Sequence, residues 1–115
     1  MPPLAIHSLV DFHGCDPAQL TDADGLRAEM LSAVREAGGT VVTDVFHAFS
    51  PHGLSGVIVI AESHVALHTW PEHAYAAVDI FSCSPRLDQD RLVTRLATWL
   101  KASTTAVDKR PRGVK

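Results

Sequence analysis

The sequence predicts an α+β fold: a two-layer sandwich in which a mainly antiparallel sheet carries two helices on one face. Three observations lead there. First, 115 residues with 46% hydrophobic content suit a single domain spanning residues 1–115. Second, five segments are β-branched and alternating, whereas only two carry apolar residues at helical spacing. Third, the central strand-like segments follow one another across short turn signals, which join strands as antiparallel hairpins. Two amphipathic helices must then share one face of the sheet and leave the other bare. A second copy of the chain would cover that face, so a sheet-to-sheet homodimer is predicted.

The elements follow in order. "LAIHSLVDFHGC" (4–15) reads as a strand that stops at Gly14, and "CDPAQL" as a turn, because Asp-Pro disfavours helix at the residue before proline. Leu26, Met30, Ala33, Val34 and Ala37 then form one helical stripe, with Thr21 or Asp22 as its cap and Gly38-Gly39 as its end. "TVVTDVFHAF" (40–49) and "GLSGVIVIAES" (53–63) make a hairpin around "SPHG". "SHVALHTW" and "YAAVDIFSC" are two more strands, separated by "PEHA". A second helix follows, with Asp88 as cap and Leu92, Leu96, Trp99 and Leu100 on its stripe. The tail after Ala102 is polar and basic, either frayed or a last edge strand.

Several function classes are disfavoured at once. The net charge of -3 offers no basic field for a polyanion, and the one basic cluster, "DKRPRGVK", lies at the C-terminus, so neither nucleic acid nor a membrane surface is an expected partner. There is no charged, apolar leader and no unbroken apolar run of membrane length, which points to the cytoplasm. Cys15 and Cys83 are too few for a disulfide framework and read as reduced thiols.

The chemistry concentrates in "AESHVALHTW". Glu62, Ser63 and His64 are three consecutive polar residues between two apolar runs, with no glycine or proline to make a turn. If 63–70 is a strand, His64, Ala66, His68 and Trp70 point one way and Ser63, Val65, Leu67 and Thr69 the other, so His68 is not Ser63's neighbour on a strand face. The HxxxH spacing of His64 and His68 would suit zinc on a helix, but a strand separates them by about 13 Å, too far for one ion; no metal is expected, with Cys83, His68 and a third ligand the one set left open. Ser63 lacks the glycines of a nucleophile elbow. A plain strand crossing, with His68 and Cys83 as packed core residues, remains open on these grounds.

The stretch "ESHVALHTWPEHAYAAVDIFSC", with "FHAFSPHGLSGVIVI" before it and the first strand ending in "GC", resembles the prokaryotic S-adenosylmethionine decarboxylase proenzymes over roughly residues 5–100. The resemblance implies that the chain cuts itself between Glu62 and Ser63, giving a β chain 1–62 and an α chain 63–115. Ser63 would attack its own preceding carbonyl, Ser55 of "GLSG" would stabilise the oxyanion, and His68 would remove the α-proton of residue 63. Ser63 would thereby become a covalent pyruvoyl group, whose ketone forms a Schiff base with the substrate amine and accepts the electrons released with CO2. Cys83 would be the acid that returns a proton, since a thiol carries one at neutral pH. Phe49 and Trp70 would grip the adenine, and Glu72 would hold the ribose. The implied product, decarboxylated S-adenosylmethionine, serves polyamine (spermidine) synthesis.

The resemblance breaks at four residues. Members commonly have Arg where this chain has Ala48, Tyr-Gly where it has His73-Ala74, and Gly where it has Ser84. Each could reshape the pocket, so a small-molecule substrate of another kind, such as ornithine or arginine, is the alternative.

Overall fold

A computed structural model describes residues 2–114. Six strands and three helices follow in the order β1 (Ala5–His13), α1 (Pro17–Thr21), α2 (Ala23–Glu36), β2 (Val41–Ala48), β3 (Leu54–Ile60), β4 (Ser63–Trp70), β5 (Tyr75–Ser82), α3 (Gln89–Leu100) and β6 (Thr104–Arg112). A short 3-10 turn, Pro71–His73, links β4 to β5. The strands form one sheet in the order β2-β3-β4-β5-β1-β6, and each neighbouring pair is antiparallel.

The helices form where the periodicity places them. Asp22 accepts the Gly25 N–H and caps α2, which buries Leu26, Met30, Leu31, Ala33 and Val34. Asp88 accepts the Arg91 N–H and caps α3, which buries Leu92, Val93, Leu96 and Leu100. Trp99, expected on that stripe, packs partly buried at the core margin. The third helix is a correction: "CDPAQL" is not only a turn. Proline disfavours helix at the residue before it, but at the first helical position it loses nothing, and Asp16 accepts the Ala18 N–H to cap α1. The polar tail is the edge strand β6, exposed along its whole length and paired with β1.

The core lies between the sheet and the helices. On β4, Val65, Leu67 and Thr69 point inward, as do Leu54, Ile58 and Ile60 on β3 and Ala76, Val78 and Ile80 on β5. Thr69 both accepts the Leu54 N–H (2.9 Å) and donates to the Leu20 carbonyl (3.0 Å), locking α1 onto the end of β4. The opposite face of the sheet has no covering layer among the described residues, and Leu9, Val45, Val57, Val59 and Trp70 are exposed there.

Candidate active site

The polar triplet of the central stretch builds a tight turn. Ile60 pairs with Ser63, so β3 and β4 are joined by only two residues, Ala61 and Glu62. Glu62 takes the left-handed conformation, φ 62°, which glycine adopts freely and which costs a residue with a Cβ roughly 1–2 kcal/mol. The strain sits one bond before Ser63. The Glu62 carbonyl accepts the Cys83 N–H at 3.1 Å, so a backbone donor already rests on it.

Ser63 lies opposite Ser82 in the β4–β5 register, both on the helix side of the sheet. Its hydroxyl donates to Ser82 Oγ at 2.7 Å. Ser82 Oγ also accepts the Ser84 N–H (3.0 Å) and donates to the Ser84 carbonyl (3.2 Å). Cys83, just past the end of β5, is exposed. A cavity of about 400 Å³ opens beside the turn, lined by Gly38, Gly39, Glu62, Ser63, Ser84 and Arg86 among others. Ser84 closes its own turn, accepting the Arg86 N–H on Oγ.

A second group gathers at the other end of β4. Ser55 pairs with His68 across β3–β4, and Ser55 Oγ meets His68 Nδ1 at 2.7 Å. A cavity of about 340 Å³ there is lined by Phe49, His52, Ser55, His68, Trp70 and Glu72, with intervening residues. Phe49 is 51% exposed and Trp70 40%, so neither ring belongs to the core. Phe49 meets His47 edge-on, and Trp70 stacks on Tyr75, which stacks in turn on His13. His52 Nε2 contacts Glu72 Oε2 at 2.5 Å. Partial burial pushes the Glu72 carboxyl up. The His52 hydrogen bond, its own backbone N–H and the nearby imidazoles outweigh that and hold it below its ordinary range.

The two groups do not meet within one chain. Ser63 and His68 are five residues apart on β4, about 16 Å, and face opposite sides of the sheet. Ser55 and His68 therefore stand away from the Glu62–Ser63 bond of their own chain, where Ser82 and the Cys83 N–H stand instead. Sequence reasoning missed both of these, and His52 as well. Their signal is strand register, which appears only once β4 is paired with β5 and the turns are closed. His64 and His68 share a face of β4, but His64 stacks on Phe81 while His68 bonds Ser55. Among the described residues no group of three or more His, Cys, Asp and Glu is placed to hold a metal.

Two departures from the resembled pattern find places. Ala74 ends the 3-10 turn with φ 51°, a left-handed position where glycine would be free of strain. Ala48 is the exposed last residue of β2, opposite Leu54.

Comparison with known proteins follows the same stretch outward. The family described as S-adenosylmethionine decarboxylase matches residues 6–113. A protein of Thermotoga petrophila named S-adenosylmethionine decarboxylase proenzyme is 42% identical over 113 residues, covering 98% of this chain and 87% of that protein. One of the same name from Acidithiobacillus ferrooxidans is 43% identical over 108 residues, covering 93% and 81%. The crystal structure of adenosylmethionine decarboxylase from Aquifex aeolicus superposes with a TM-score of 0.90 at 30% identity, over 100% of this chain and 95% of that one. The AdoMetDC monomer of Trypanosoma brucei shares the fold, with a TM-score of 0.65 at 15% identity over 89% of this chain and 44% of its own.

Proposed function

The chain belongs to the S-adenosylmethionine decarboxylase family, and we propose that it cuts itself between Glu62 and Ser63 and then decarboxylates S-adenosylmethionine, a step towards polyamines. The observation that carries the self-cleavage is the turn itself. The Glu62–Ser63 bond follows a left-handed glutamate, its carbonyl already accepts the Cys83 N–H, and a serine hydroxyl stands one residue on. Strain at Glu62 is relieved when the amide opens, and a donor on the carbonyl stabilises the oxyanion that forms there. The products are a β chain 1–62 and an α chain 63–115 that begins with a pyruvoyl group made from Ser63.

The residues around the junction fit such a group. It needs no pocket of its own, because it is the first residue of β4, and Cys83, an exposed thiol, is anchored next to the junction through its backbone N–H on the Glu62 carbonyl. The ketone supplies an acceptor for the substrate's amine and for the electrons left when CO2 departs. Cys83 carries the proton that the substrate carbon takes up afterwards. Phe49 and Trp70 present exposed rings for the adenine, and Glu72, kept anionic, accepts from the ribose hydroxyls.

One chain holds only half of this arrangement at either end of β4. A second copy stacked by a two-fold axis on the uncovered face brings the Ser55–His68 end of one chain against the Ser63–Cys83 end of the other, and it covers Leu9, Val45, Val57 and Val59. Ser55 of the second copy then adds a donor for the oxyanion, and its His68 removes the α-proton of residue 63. Ornithine or arginine is not adopted as substrate, because two exposed rings and a carboxylate in one cavity suit a planar base with a diol.

The denatured mass and the released CO2 test this together. Two fragments joined at Glu62 and Ser63, the second lacking an ammonia, with CO2 from S-adenosylmethionine and none from ornithine or arginine, are the expected result. A single mass stable on incubation would end the self-cleavage reading, and turnover of ornithine or arginine alone would end the substrate assignment.

A further inference from the structure

His68 of the same chain is about 16 Å from Ser63, and the side chain that touches the Ser63 hydroxyl is that of Ser82. We infer that Ser82 is a further residue of the self-cleavage machinery: its buried hydroxyl holds that of Ser63 in one rotamer, with the proton engaged, for attack on the Glu62 carbonyl. The inference rests on the reading of Ser63 as the self-cleaving residue.

Ser63 and Ser82 are directly opposed in the sheet, buried to 9% and 4% exposure, and linked at 2.7 Å. Ser82 cannot turn away easily. Its own proton goes to the Ser84 carbonyl and it accepts the Ser84 N–H, so a lone pair faces Ser63. A hydroxyl whose proton points at Ser82 keeps its lone pairs off that line and free for carbon. Ser82 and Cys83, consecutive residues, thus hold both reacting partners: the first holds the nucleophile through its side chain, the second the carbonyl through its N–H.

The step balances without any co-reactant. Ser63 Oγ bonds to the Glu62 carbonyl carbon, the Glu62–Ser63 C–N bond breaks, and the hydroxyl proton ends on the Ser63 nitrogen, leaving an ester and a free amine. Ser82 acts before the ester exists. A packing role alone would be served by any small side chain, since an apolar pair of this size avoids burying two hydroxyls.

The test follows the appearance of the 63–115 fragment during a cell-free translation pulse, for the wild-type chain and for Ser82→Ala, Ser82→Cys and Ser82→Thr. Cleavage is expected to slow about tenfold in the Ala and Cys variants and to return in Thr, which keeps the hydroxyl. The slow precursors should hold no ester, so hydroxylamine should release no fragments from them. Wild-type cleavage in Ser82→Ala, or hydroxylamine-releasable ester in the slow precursor, would overturn the inference. If Ser82→Ala fails to fold by circular dichroism, the size-matched Cys variant decides, and cleavage in it at the wild-type rate would overturn the inference equally. A wild-type chain that is never cut would instead remove the self-cleavage reading underneath.

Discussion

Replacing His68 by Ala in one chain and Ser63 by Ala in another separates the two halves of the proposed site. Along β4 the residues are five positions apart, about 16 Å, whereas a proton transfer needs heavy atoms about 3 Å apart. Their side chains also leave opposite faces of the sheet. On the proposed reading, His68 serves the junction of another copy. Neither variant should complete cleavage alone. Co-expressed in equal amounts, random pairing puts about half of the dimers in mixed form. In each mixed dimer the His68→Ala chain has an intact Ser63 and receives His68 from its Ser63→Ala companion. About half of the His68→Ala chains should then be cut, and none of the Ser63→Ala chains, as read by mass on differently tagged chains. Isolated mixed dimers in which every His68→Ala chain stays whole would refute the composite site. So would full cleavage of His68→Ala by itself.

Three further outcomes are expected. Cys83→Ala keeps the backbone N–H on Glu62 and should still cut itself, but decarboxylation per cut chain should fall by about 100-fold or more; unchanged turnover would remove the thiol from the acid role. Tyr75, the one tyrosine, is pushed up to about 12 by its hydrogen bond to Asp11, with burial and the Asp11 and Asp79 charges adding to it. The folded chain holds that proton where the unfolded one releases it near pH ~10. Its contribution to stability is therefore complete below pH ~10 and lost as pH rises through 12. Absorbance at alkaline pH should show ionisation near 12 in the folded protein, and Asp11→Asn should lower it; a midpoint at the ordinary value would contradict the Asp11 contact. Ala74→Gly relieves a left-handed residue and should raise stability by about 0.5–1 kcal/mol, seen as a higher melting temperature; no change would mean the turn is already relaxed.

The two main helices were legible because their signals are local. Leu26, Met30, Ala33 and Val34 repeat on one side of one segment, and Asp22 and Asp88 cap their own chains three residues on. The facing of β4 was legible for the same reason: alternation alone sends Ser63 and His68 to opposite sides. The helix α1 was hidden by a proline whose effect depends on which side of it one stands. The turn at Glu62 was hidden because its residues carry no turn chemistry: a glutamate occupies a conformation that glycine prefers, held there by the paired strands and by Cys83 on the neighbouring strand.

By itself the sequence determined the α+β class and the order of the first five strands and the two main helices, and through the resemblance it named the Glu62–Ser63 junction and the candidates Ser55, His68, Phe49, Trp70, Glu72 and Cys83. Only the tertiary structure decided which of them stand together. Ser55, His68, Phe49, Trp70 and Glu72 share one end of the sheet, while Ser63 and Cys83 share the other with Ser82. The reason is that periodicity reports which way a side chain points along its own strand. Neighbours across strands depend on register, which hydrogen bonds between distant segments establish.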